Sequence, residues 1–305
     1  MLRFLPPDLA QLPAPQLIEE IDYEAILADQ KQWVLDRWDE VLAIRPDLPP
    51  LDTLGLETEP MTILLEAFAY RETILRALVN DKARAVLLAK AVGSDLDHVG
   101  ALYPSTRATL VAAAGGVPAV MESDAAFRRR VQLTPEAFSV AGPADGYIYW
   151  ALSADPANIM DAFAYRFDGK GNVHVVVAGF GAADVPDATI DKLWEQFART
   201  DIVPLTDIPR PVRAARFEYG VEGTIYVPPG PMAASRVAAA SAAVQAYGVA
   251  RCKITSDVHR AGIIAAAMVP GIEDVELTAP AVDIEGAPER IPKMTAVNFR
   301  TVVLP

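Results

Sequence analysis

Residues 121–161, MESDAAFRRRVQLTPEAFSVAGPADGYIYWALSADPANIMD, constrain the fold of this chain more than any other stretch. They join a largely helical first third to a mixed remainder. Glu122, Ser123 and Asp124 precede Ala125, Ala126, Phe127 and Val131, a helix start in which Ser123 or Asp124 accepts bonds from the first free backbone amides. Phe127 and Val131, four apart, form one apolar edge, and Arg128, Arg129 and Arg130 point elsewhere. A second helix is expected from Gly142-Pro143 through Ala154, because proline suits a first helical turn. Its buried stripe is read as Tyr147, Trp150, Ala151 and Ala154, with Asp155-Pro156 as the stop and a strand entered at Ile159-Met160-Asp161.

Upstream, Pro6, Pro7, Pro13 and Pro15 prevent a continuous helix, so residues 1–16 are expected to run as an extended arm. Leu17, Ile18, Ile21, Ala25, Ile26, Trp33, Val34, Val41 and Leu42 then follow a helical period, with Asp22 as an internal start. Of two nearby tryptophans, Trp33 is assigned to the interior and Trp38 to a protein interface, where tryptophan is enriched. After the proline-marked link 45–56, a long helix is expected from Thr58 to about Ala91. Met61, Leu64, Leu65, Phe68, Leu75, Leu78, Val79 and Val86 recur every three or four residues and share a face. Gly93 is expected to cap this helix, and Ser94 or Asp95 to open a short one.

Residues 104–120 are small and turn-prone and read as a boundary. Beyond residue 158, two β-rich runs flank Asp168-Gly169-Lys170-Gly171-Asn172, a hairpin signal. A helix follows over 187–200, then a proline-bounded link. A long strand covers 213–227, an alanine-rich helix ends before Gly248, a helix runs from Asp257 to Met268, and an edge strand lies near Ile272–Leu277. YWALSADPANIMDAFAY and IIAAAMVPGIEDVELTA both pass from helix through proline into an acid-bearing strand, which points to a duplicated unit over about 121–210 and 211–301.

The net charge of −13 argues against a nucleic-acid backbone as partner. The prolines near the start interrupt any export signal, the alanine-rich run is too polar for a membrane span, and a lone Cys252 fits a reducing compartment. His98, His174 and His259 lie far apart, and Asp95, Asp97 and His98 lack the remaining ligands of a calcium loop. Neither a serine elbow nor a base beside Cys252 is visible. Glu122 and Asp124 stand too close at a helix start to flank a glycan, so helix capping is their expected role. No catalytic, cofactor or metal site is assigned.

ESDAAFRRRV, FSVAGPADGYIYWALSA and the strand entry at Ile159 resemble the core of the baseplate J-like family, wedge proteins of contractile tails. The likeness extends to LPAPQLIEEIDYEAILA, to LETEPMTILLEAFAYRETILRALVNDKARAVLLAKAVGSDLDHVGALYP and to YVPPGP near Tyr226. It implies a non-enzymatic, structural protein of the virion tail baseplate, made in the host bacterial cytoplasm. The implied partners are other wedge proteins, a second copy of the chain, and hub or sheath-initiator proteins, with no nucleic acid and no membrane. The resemblance further implies a ring of such proteins around the hub that widens at host attachment and triggers sheath contraction. A tailocin or other contractile injector is an alternative setting, and a tail-associated glycan hydrolase an alternative class.

The expected architecture is α+β: an arm (1–16), a helical wedge-bundle region (17–105) and two small α+β domains (106–210 and 211–305). Partner-binding residues on this reading are Leu17, Ile18, Ile21, Trp38 and Phe68 in the helical region. Arg128, Arg129 and Arg130 form a cluster suited to an acidic partner surface or to internal ion pairs.

Overall fold

The computed structural model describes residues 9, 12, 13, 15–103, 105–139 and 141–304. The expected arm over 1–16 falls largely outside them. The chain divides into two compact units, one over 7–102 and one over 103–305. The fold is α+β, with its helical part first.

The helical unit contains α1 (Tyr23–Ile44), α2 (Pro60–Ala85) and α3 (Gly93–Ala101). Asp22 opens α1, its carboxylate accepting the amides of Glu24 at 2.9 Å and Ala25 at 3.3 Å. Ile26, Leu27, Leu54, Leu65 and Ala69 form the core. Buried Asn80 is fully occupied: its Oδ1 accepts the Glu19 amide at 3.0 Å and its Nδ2 donates to the Glu19 carbonyl at 2.9 Å. α2 stops at Ala85, short of the expected Ala91, because the chain turns so that the Lys90 and Ala91 amides donate to the Leu87 carbonyl. Its 26 residues still make a rod of about 39 Å. Gly93, at φ +54°, opens α3 rather than capping α2, and Val92 rather than Ser94 or Asp95 stands at the N-cap position.

In the second unit a two-stranded ribbon, β1 (Thr109–Val111) and β2 (Val120–Met121), occupies the expected boundary and leads into α4 (Asp124–Ala137). Ser123 caps α4 by accepting the Ala126 amide at 3.3 Å. α5 (Ala144–Ala154) was expected to bury one stripe, yet Gly146, Tyr147, Ile148 and Tyr149 are all buried. The reason is that α5 is packed on α4 and on strand β3 (Asp161–Arg166) at once. A side chain at Gly146 would meet the Glu136 carbonyl at 3.0 Å, so this close helix crossing favours glycine.

β3 and β4 (Asn172–Ala178) form the expected hairpin. Asp168 builds the turn, accepting the Lys170 amide at 2.9 Å, the Asn172 amide at 3.3 Å and Asn172 Nδ2 at 2.7 Å. From β4 the chain passes through α6 (Asp187–Phe197) to β5 (Ile208–Arg213), which pairs parallel to β4. Sequence reading placed a link where β5 lies.

The second sheet has the order β7-β6-β8 and consists of β6 (Ala215–Val227), β7 (Asp274–Ala279) and β8 (Arg290–Val303), covered by α7 (Ala233–Arg251) and α8 (Arg260–Ala267). α7 continues past Gly248 because that position faces Met294 of β8, whose Cε would lie 2.1 Å from an added Cβ. In each sheet a central strand has one antiparallel and one parallel neighbour. The two helix–proline–strand passages of the sequence lead into the antiparallel edge strands, β3 and β7. The centre follows the antiparallel edge in the first sheet and precedes it in the second.

Candidate interaction surface

α2 carries more apolar side chains than its unit covers. Thr62, Leu65, Ala69, Asn80 and Ala83 are buried. The row one residue earlier, Met61, Leu64, Phe68, Leu75 and Val79, is exposed, Phe68 by 55% and Leu75 by 59%. One residue is about 100° around a helix, so the uncovered row lies roughly a quarter-turn from the buried one. Ile63, Tyr70 and Ile74 widen the exposed area. Exposed apolar side chains in such number on one helix are a general feature of protein contact surfaces. The sequence period gathered these residues on one side of α2. It assigned Leu65 and its exposed neighbours to a single face and missed Ile63, Tyr70 and Ile74.

The other expected contact residues divide. Leu17 is exposed, Ile18 half-buried, and Ile21 half-buried against the helical core. Of the two tryptophans, Trp33, expected inside, lies at the surface, and Trp38 keeps part of its surface open. Trp38 is half-buried and donates to the Pro49 carbonyl at 3.1 Å, while Trp33 is 69% exposed. The proline link folds back on Trp38 and satisfies its indole, a contact that helical period does not reveal.

The arginine run is built into the second unit. Arg130, 6% exposed, binds Glu122 through Nε at 2.9 Å and Nη2 at 2.7 Å, and also donates to the Thr106 carbonyl. Glu122 is itself buried and accepts the Ala108 amide, so it is the partner of a buried ion pair and not a helix cap. Arg107 pairs with Asp124 at 2.7 Å, and the guanidiniums of Arg107 and Arg130 both lie over the Phe127 ring. Arg129 donates to Asp161 at 2.6 Å, and the other Asp161 oxygen accepts the Ile254 amide at 2.8 Å. Arg128 is half-buried. Arg129 and Arg130 thus hold α4 to its own surroundings rather than facing outward.

Two further polar clusters have structural partners. Burial opposes charge on Asp155, but bonds from Thr189, Lys192 and Asn158 outweigh it and hold the carboxyl below the usual range. Glu289 accepts Tyr165 Oη and contacts His174 Nδ1, each at 2.7 Å, joining the first sheet to the entry of β8. Burial, reinforced by Glu289, pushes the Tyr165 hydroxyl up to about 12. Cys252 lines a cleft of about 420 Å³ with Met160, Gly248, Val249, Met294 and Val297. Burial pushes its thiol up despite Lys293, the opposite of what a thiolate nucleophile needs. Among the described residues, no cluster of three metal-ligating side chains occurs, and no helix is long and apolar enough to cross a membrane.

The uncovered surface of α2 falls within a recognised segment: residues 57–114 match the model of the baseplate J-like N-terminal domain. Across the whole chain, baseplate protein J of Escherichia phage P2 is 37% identical over 283 residues, covering 91% of either protein. The chain belongs to the baseplate J-like family.

Proposed function

We propose that this protein is a structural component of the baseplate of a contractile phage tail, synthesised in the host cytoplasm and incorporated into the virion. The 37% identity to a protein named for the baseplate supports the baseplate role. The observation that carries the contact role is the apolar row of α2, which has the spacing of a helix-bundle seam and is left uncovered among the described residues. On this reading, residues 17–105 enter a bundle with other wedge proteins through Leu17, Ile18, Met61, Phe68 and Leu75. The domains 106–210 and 211–305 contact a second copy, closing a ring about the hub whose widening relays attachment to the sheath.

Quantitative mass spectrometry of purified particles tests the role. A fixed ratio to hub and sheath, far below sheath, is expected; absence from finished particles overturns the reading. Phe68→Asp with Leu75→Glu tests the seam. Each site is exposed, so unfolding free energy should change by no more than about 0.5 kcal/mol per site. Incorporation into particles should fall at least about tenfold, the equivalent of 1.4 kcal/mol. Normal incorporation would remove α2 from the interface.

A further inference from the structure

Three edge strands of the second unit end in different ways. In a parallel ladder each residue directs both backbone groups to the same side. The Ile208 amide donates to Gly171 and the Ala214 amide to Val177, so even-numbered residues of β5 face β4, while Pro209 and Pro211 face outward without an N–H. That edge is blunted. On β7, the Val275 amide donates to Asp274 Oδ1 at 2.8 Å, and the Leu277 carbonyl accepts Arg260 Nη2 at 2.8 Å.

β8 differs along its length. The Leu304 amide donates to Val227 and the register pairs Val227 with Val303, so residues 298, 300 and 302 face β6. Val297, Phe299, Thr301 and Val303 therefore turn their amides and carbonyls outward. Before the bulge beside Tyr219, the outer edge is closed: the Arg290 carbonyl accepts the Thr255 amide at 3.2 Å, and Pro292 has no N–H to offer. After the bulge, no described residue bonds the outward groups. A seven-residue edge of this length, without proline or an inward charge, is a template for another strand.

The chemistry of the edge narrows the occupant. β8 carries Arg290, Lys293 and Arg300 and no acid, in a chain of net charge −13. The 420 Å³ cleft opens where the closed part of the edge gives way to the open part, with Met294, Thr295, Ala296 and Val297 in its lining. It offers an apolar socket beside a basic backbone edge. Antiparallel pairing of β8 with its own copy, in the register that uses all four outward residues, would set Arg300 against Arg300, and like charges directly opposite are destabilising.

Resting on the baseplate reading, we propose that the outer edge of β8 from Val297 to Val303 receives an extended, acid-bearing segment of a different baseplate polypeptide, one apolar side chain of which fills the cleft.

Hydrogen exchange of residues 296–304, in the free chain and in the chain within purified particles, tests it. The four outward amides should exchange rapidly when free and at least about 100-fold more slowly in particles; unchanged exchange overturns the proposal. Thr301→Pro removes one outward N–H without breaking a β6–β8 bond, and Arg300→Glu reverses the charge while keeping the backbone. Both should retain the wild-type circular dichroism and be depleted from particles, and wild-type incorporation of Arg300→Glu together with Thr301→Pro overturns the site. A photo-crosslinker at Thr301 should capture an acidic segment of another protein; capture of β8 from a second copy overturns the occupant. Absence of the wild-type chain from particles overturns this proposal and the baseplate reading together, whereas a present chain with a freely exchanging edge overturns this one alone.

Discussion

The two sheets of the second unit share a plan and an apolar core, but only the first adds buried ionic and polar bonds to it. Around the first sheet, Glu122, Arg130, Asp155 and Asp161 are buried with their charges, and Ser105, Thr134 and Thr189 are buried beside them. Around the second, no described residue after Thr189 is a buried charged or small polar side chain, and Val221, Ile225, Val244, Ile263 and Val258 fill the core. A buried ion pair adds little net stability but is costly to break, since the remaining charge has nowhere to go. An apolar layer instead degrades in proportion to the volume removed. The first half therefore adds directional buried bonds to an apolar core of its own, and the second relies on packing.

The sharpest way to break the contrast is Glu122→Ala, which strands the Arg130 guanidinium inside the fold. It should cost about 3–5 kcal/mol, read by denaturant unfolding with the fluorescence of Trp150 and Trp194, which belong to this half. Replacing both partners by methionine should cost less than the single change. A cost for Glu122→Ala below that of the double variant would show that the pair is not what holds α4.

A smaller effect is expected at Asp155, and it carries a pH signature. Its carboxyl is held below the usual range in the fold, so its contribution is present above the unfolded-state value near 3.9 and fades as pH falls through the lower folded value. Asp155→Asn should be less stable by about 1–3 kcal/mol at neutral pH. The gap to wild type should narrow below about pH 4. A gap independent of pH between 7 and 3 would contradict a charged role for this residue.

The mildest change is Ile225→Val in the second core, where Ile225 is fully buried. It should cost about 0.5–1.5 kcal/mol, seen as faster hydrogen exchange across 219–227 and with no dependence on pH in the acid range. A pH-dependent cost in that range would place a carboxylate or imidazole in a core whose buried members include none among the described residues.

Much of the fold was legible wherever the signal is local. Ser123 marks the start of α4, and Asp168 with Gly171 marks the hairpin, because their bonds close within a few residues. β5 was read as a link since Pro209 and Pro211 argue against a strand; only the pairing direction shows that both prolines turn their missing amides away from β4. β8 was passed over, its pattern being broken by Pro292 and by the bulge near Thr295. The exposed apolar row of α2 was half legible. Period identifies which residues of α2 lie together, but it does not say which of them the rest of the chain covers, and so Phe68 and Leu65 were given the same face. Glu122 was read as a helix cap because sequence spacing conveys nothing of burial, and the arginine run as facing a partner or making internal ion pairs; Arg130 pairs internally with Glu122.

Asp161 has a mechanical consequence. One of its oxygens holds Arg129 of α4 and the other holds the amide of Ile254, just beyond α7. A load applied to the second sheet reaches α4 through a single rigid carboxylate, flanked by the shared apolar contacts of Phe163, Val176, Ile254 and Ile291. The described residues of the second unit should thus move as one stiff block.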